Sequence, residues 1–145
     1  MMASAPLAKD QPRQTLEQQR AQDAWDCAGK AKQLLGDGYE KYVDLAKSVP
    51  ALIMNSGLMQ VLAFLHEKSL DKKTGLLKRN DPHTLIGQHF REALNKRFAD
   101  IPAGFEDAMK ELMKADSLRF QAITAEAFAW LRWMRQMAAA RKGGS

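Results

Sequence analysis

Residues 50–68 read PALIMNSGLMQVLAFLHEK, a stretch that is apolar on nearly every side of a helical wheel. A helix without a polar face belongs in the middle of its domain, enclosed by other helices. Asn55, Ser56, Gly57 and Gln60 interrupt the run, and the apolar part from Ala51 to Leu65 falls short of the roughly 20 residues a bilayer requires. The stretch is therefore expected as a buried central helix, with no membrane span. Pro50 suits its first turn, where a missing N–H leaves nothing unpaired. Gly57 in mid-helix costs about 1 kcal/mol relative to alanine, which points to a second backbone packed against it.

Helical signals continue on both sides. Upstream, Thr15 and Gln18 have the spacing of a capping box, and Ala21, Ala24, Trp25, Ala28, Ala31 and Leu35 mark one face of a first helix that ends at Gly36. Its interior is mostly alanine, with Trp25 expected as the one large anchor. A short second helix, capped by Asp37 and carrying Tyr39, Tyr42, Val43 and Ala46, is expected to stop before Pro50, because the residue preceding a proline disfavours helical geometry. Downstream, SLDKKTGLLKRN from Ser69 to Asn80 reads as an exposed, mobile basic connection.

Asp81 and Pro82 open a fourth helix with Leu85, Ile86, His89, Phe90, Ala93, Leu94 and Phe98 inward and Arg91, Lys96 and Arg97 outward. Asp100 to Gly104 breaks it, and a fifth helix over Phe105 to Lys114 buries Phe105, Met109 and Leu112. Ser117 is expected to cap the last helix, whose Phe120, Ile123, Ala127, Trp130, Leu131, Met134 and Ala138 share one side. Running to about Arg141, it makes a rod of roughly 37 Å. No strand pattern and no internal repeat interrupt this order. The fold class is all-α: a single compact bundle of five to six helices over 15–142, around the central helix and the long C-terminal one, with a disordered lead-in at 1–14 and a flexible tail at 143–145.

The 145 residues are 46% apolar and carry a net charge of +5. A chain of this size buries enough surface to fold without disulfides or metal. A lone cysteine, Cys27, and a polar, alanine-rich start fit a reducing cytoplasm. The charge is uneven. Met1 to Leu70 holds 8 basic and 8 acidic residues, whereas Asp71 to Ser145 holds 14 basic and 9 acidic. The whole surplus lies in the second half, where it favours a polyanion or an acidic protein surface without choosing between them.

Motifs for chemistry are missing. His66, His83 and His89 have no metal-ligand spacing, and there is no phosphate-cradling lysine loop, no nucleophile elbow and no cluster of aspartates for two metals. No catalytic residue, metal or cofactor is expected. Cys27 reads as a structural thiol, His89 as a hydrogen-bonded core histidine, and Asp23 with Asp26 as a solvated face. The cations fall into two groups. Lys72, Lys73, Lys78 and Arg79 suit attraction of phosphate without sequence readout. Arg132 and Arg135, with Arg141 and Lys142 beyond them, form a stripe that could track a nucleic-acid backbone or simply complement the helix C-terminus. Trp130 belongs in the core; Trp133, at the edge of the last helix's apolar side, is a candidate interface residue, open to partial burial, a partner subunit or a stacked base.

Two segments carry a family resemblance. VPALIMNSGLMQVLAFL, Val49 to Leu65, and SLRFQAITAEAFAWLRWMRQMAAA, Ser117 to Ala140, resemble the paired signatures of the small subunit of the type III-B CRISPR effector, the Cmr RNA-silencing complex. In the first the match is a proline, an apolar stretch, Asn-x-Gly-Leu and a glutamine before an aliphatic-aromatic run. In the second it is Thr124, Glu126, Trp130, Leu131, Trp133 and Arg135 before small residues. The resemblance implies an all-helical, non-catalytic subunit present in several copies, stacked as a minor filament along guide and target RNA beside other Cmr subunits, in antiviral defence. A helical adaptor whose basic half docks an acidic protein is the alternative.

Overall fold

A computed structural model of the protein describes residues 13–143; most of the lead-in read from the sequence, and the last two residues of its tail, lie outside that range. Six α-helices follow one another: α1 (Leu16–Leu35), α2 (Tyr39–Ser56), α3 (Leu58–Lys68), α4 (Pro82–Arg97), α5 (Phe105–Lys114) and α6 (Ser117–Ala140). The all-α class is as expected.

α1 begins with the capping box, Thr15 Oγ1 accepting from the Gln18 N–H at 3.1 Å while Gln18 Oε1 accepts from the Thr15 N–H at 2.7 Å. It ends at Gly36, whose φ of 54° closes the last turn. Its inner face is small, Ala24, Ala28 and Ala31 being fully buried, so α6 can lie close along it. Trp25 is not the anchor of that face: it points outward and is 40% exposed.

The boundary expected at Pro50 is absent. α2 runs straight through the proline, and the chain breaks at Gly57 instead, with φ 89° and ψ 158°. The reason is packing. Tyr42, Ala46, Val49 and Ile53 are all buried at helical spacing, so one continuous face crosses Pro50 and outweighs the lost N–H. Gly57 then adopts a backbone conformation that a side chain would strain. Its N–H donates to Ile53 O at 2.7 Å and its carbonyl accepts from Val61 N at 3.2 Å, joining two helices where one was expected. Nor is the stretch enclosed on all sides, since Met54 is 78% exposed.

α3 buries Leu58, Val61, Leu62 and Leu65. The connection to α4 is a built turn rather than a mobile one. Leu70 and Leu77 form an antiparallel bridge, Asp71 N–H donates to Leu76 O at 2.8 Å, and Asp71 Oδ1 accepts from the N–H groups of Lys73 and Thr74 at 2.9 and 3.0 Å. Asp81 caps α4 through His83 N–H and Thr84 N–H, with Pro82 at the first position, as its sequence indicates. α6 is capped by Asp116, which accepts from Arg119 N–H at 2.8 Å; Ser117 is its first residue and not its cap.

α6 packs on α1, α2 and α4 and supplies the floor of the core with Ile123, Ala127, Trp130, Leu131, Met134 and Ala138. Trp130 stacks on Phe90 with centroids 5.9 Å apart. Tyr39 Oη donates to Ala138 O at 2.7 Å, and Tyr42 Oη lies 2.7 Å from His89 Nδ1. His89 is thus the hydrogen-bonded core histidine its position suggested.

Candidate nucleic-acid interface

The α3–α4 turn gathers cations. Lys68, Lys72, Lys73 and Lys78 line an open cleft of about 450 Å³ together with Glu67, Leu70 and Asp71. Lys68 comes from the last turn of α3, and the turn carries the other three to it. The usual structural reason for lysines at a helix end, its unpaired carbonyls, is met otherwise: Ser69 N–H and Oγ and Leu70 N–H already occupy Leu65 O, His66 O and Glu67 O. Asp71 is likewise occupied. The N–H groups of Thr74 and Lys73 hold its carboxyl below the usual carboxylate range, so it braces the turn as an anion. Among the described residues Lys68, Lys72, Lys73 and Arg79 have no acidic partner; Lys78 Nζ lies 3.5 Å from Asp81 Oδ1.

The C-terminal group is divided by the fold. Arg132 is exposed without an ion-pair partner among the described residues, and Arg135 leans toward Lys47 O at 3.5 Å. Arg141 folds back over α1, its guanidinium carbon 4.1 Å from the Trp25 ring centroid and Nη1 donating to Trp25 O at 3.1 Å. Lys142 pairs with Glu40 at 3.2 Å. The stripe drawn from the sequence is therefore not one surface of unpaired cations.

Trp133 is half-buried, and its indole N–H donates to Glu17 Oε1 at 2.6 Å. That bond, followed by Arg20, holds the Glu17 carboxyl below its ordinary value. Arg20 in turn grips Glu126 with two parallel bonds of 2.9 and 2.6 Å, tying α1 to α6. Arg97 Nε approaches the same carboxylate at 3.6 Å from α4. Two residues read as outward thus turn in: Arg97 toward Glu126, and Arg91, which donates to Ala103 O at 2.7 Å. Asp23 is not solvated either, since it accepts from Trp130 Nε1 at 2.7 Å and pairs with Lys96. Cys27 is buried, and burial pushes its thiol up to about 12, far from the thiolate a nucleophile needs. Among the described residues no group of three or more His, Cys, Asp or Glu side chains could hold a metal ion, and none of the helices is long and apolar enough to cross a membrane.

Lys68 was missed as a site residue because its company is set by the return of the chain at Leu70 and Leu77; the one sequence signal was its place four positions before Lys72, across a predicted helix end.

An all-helical domain tied at its ends by α1 and α6, with a lysine-lined turn, defines the class of small helical proteins presenting a cationic surface. The family model described as "CRISPR-associated protein (Cas_Cmr5)" matches residues 16–141. The chain belongs to the Cmr5 family, the small subunit of the type III-B Cmr complex that its two sequence signatures resemble. The crystal structure of a CRISPR-associated Cmr5 family protein from Thermus thermophilus is similar to it, with a TM-score of 0.65 and 25% identity over 88% of this chain and 97% of that one.

Proposed function

We propose that the protein is a non-catalytic minor-filament subunit of the cytoplasmic Cmr ribonucleoprotein, stacked with further copies of itself and holding guide and target RNA by their phosphates. The observation that supports this reading best is the lysine cleft. Four lysines line one cleft, Lys78 among them paired with Asp81, and the carboxylate among them on the turn, Asp71, is bound up in backbone hydrogen bonds. A phosphate backbone complements such a surface, and contacts to phosphate carry no sequence information. That suits a guide-directed system, in which base pairing supplies specificity.

A second reading, an adaptor docking an acidic protein, draws on Leu76 and Leu77, which are exposed beside the same lysines. Binding of labelled RNA across a salt series tests the choice. Lys72→Glu with Lys73→Glu is expected to lower affinity at least tenfold and to reduce the slope of log affinity against log salt by about 2. Unchanged affinity and slope would remove the cleft from the RNA surface. A protein partner retained after nuclease treatment, and lost in the double variant, would support the adaptor.

A further inference from the structure

Trp25 is a large aromatic residue on a helix whose packing does not use it. The buried face of α1 consists of Ala24, Cys27, Ala28 and Ala31, and the indole stands outside that face. Its surroundings are nonetheless built. The Arg141 guanidinium stacks on the ring at 4.1 Å, and Nη1 is fixed by Trp25 O. Gly29, one turn further along α1, makes room: a Cβ there would lie 2.7 Å from Arg141 Nη1. Lys32, at the next turn, donates to Arg141 O at 2.8 Å. Positions 25, 29 and 32 therefore form one seat for a single arginine.

That seat leaves chemistry unspent. Of the guanidinium's donors, only Nη1 has a partner among the described residues, so Nε and Nη2 are available for a phosphate oxygen. The indole keeps an exposed surface although the arginine covers part of it. An indole that carries a fixed cation on its ring and keeps an exposed surface is the combination that takes a nucleotide, the base stacking on the surface the arginine leaves free and the phosphate meeting the cation. Within a duplex each base is already stacked on both sides. The surface accordingly selects an unpaired or everted base.

We infer that Trp25 and Arg141 form a stacking site for one unpaired RNA nucleotide, separate in chain position from the lysine cleft. The inference rests on the proposed RNA-binding role and adds to it a preference for single-stranded RNA, which lysine–phosphate contact alone does not provide. Arg141 acts here as a phosphate ligand held by Trp25 and Lys32, while Lys142 beside it pairs with Glu40.

The test uses the full chain with Trp25→Leu, Trp25→Phe and Trp133→Phe, assayed against fluorescein-labelled oligouridine and against a fully paired RNA duplex of the same length. Trp25→Leu is expected to weaken oligouridine binding about tenfold and leave duplex binding unchanged, with Trp25→Phe within about threefold of wild type. In the Trp133→Phe background, oligouridine should quench tryptophan emission, and the quenching should vanish when Trp25→Phe is added. Wild-type binding of oligouridine with no loss in Trp25→Leu would overturn the stacking site while leaving the RNA-binding role intact. Equal losses on both RNAs in Trp25→Leu and Trp25→Phe would show that Trp25 only supports the fold, and also overturn it. Loss of a protein partner with RNA affinity unchanged would reassign the surface to protein contact. If the wild type bound neither RNA, and the lysine reversal changed nothing, the RNA-binding role itself would fall, and this site with it.

Discussion

Replacing Gly57 by alanine gives opposite results for one helix and for two. Were residues 50–68 a single helix, Gly57→Ala would remove a glycine from its interior and stabilise the protein by about 1 kcal/mol. In the structure Gly57 sits at φ 89° and ψ 158°, between α2 and α3. A Cβ placed there meets nothing within 4 Å, so no neighbour is displaced and the cost is that of the backbone alone. Holding a non-glycine residue in such a region costs of order 1–3 kcal/mol. For a domain of this size, each kcal/mol moves Tm by about 4 °C, which gives an expected fall of roughly 4–12 °C. Thermal unfolding followed by far-ultraviolet circular dichroism, with the urea midpoint as a second reading, measures it. Gly104→Ala serves as the control: its Cβ also meets nothing, but its backbone at φ −66° and ψ 141° suits any residue, so its change should stay within about 1 kcal/mol. A rise in Tm for Gly57→Ala would refute the break and restore the single helix.

Pro50→Ala should act in the other direction, raising stability by about 1–3 kcal/mol as α2 regains an N–H; a lower urea midpoint would mean that the proline is needed where it stands. Glu126→Gln leaves Arg20 and Arg97 facing an uncharged amide in a largely buried site, with an expected loss of about 3 kcal/mol by urea unfolding; a loss below about 1 kcal/mol would show that the three-helix tie is ornamental. Burial depresses the His89 pKa from its ordinary 6.5, so the unfolded chain binds the proton more readily than the native one. Stability should therefore be full above pH 6.5 and decline as the pH falls below it, and His89→Asn should flatten the decline. His66 and His83, depressed by burial as well, keep part of it. Urea midpoints that rose on acidification through this range would contradict the assignment.

Local signals in the sequence placed the caps of α1 and α4, the inward face of α4 and the spans of α5 and α6, because each depends on neighbours three or four positions away; Trp25 on α1 and Phe105 and Met109 on α5 were read as more buried than they are, and Ser117 stands one position past the α6 cap. The second and third helices were divided wrongly because proline and glycine make competing local arguments there. Burial of Ala46, Val49 and Ile53 against the rest of the bundle decides between them, and no local rule contains that burial. The lysines of the turn were legible as residues, but their cleft was not, since Lys68 joins them only through the Leu70–Leu77 bridge. Trp25 and Arg141 are 116 positions apart, and no spacing rule brings them together. Asp23, Arg91 and Arg97 look like surface charges by type and period; their partners lie on other helices or on the loop beyond α4.

The alanine face of α1 also has a consequence for synthesis. Ala24, Ala28 and Ala31 are covered largely by α6, which occupies the end of the described chain, and bonds such as Arg20–Glu126 and Trp133–Glu17 span more than a hundred residues. During translation the first helix emerges early, with its small face lacking the surface it must meet. Loop closure across that distance can only follow the release of the last helix from the ribosome. The first helix therefore cannot reach its native packing until α6 has been made and has left the ribosome. Nascent chains halted before residue 117 should remain protease-sensitive throughout, however many of the earlier helices they already contain.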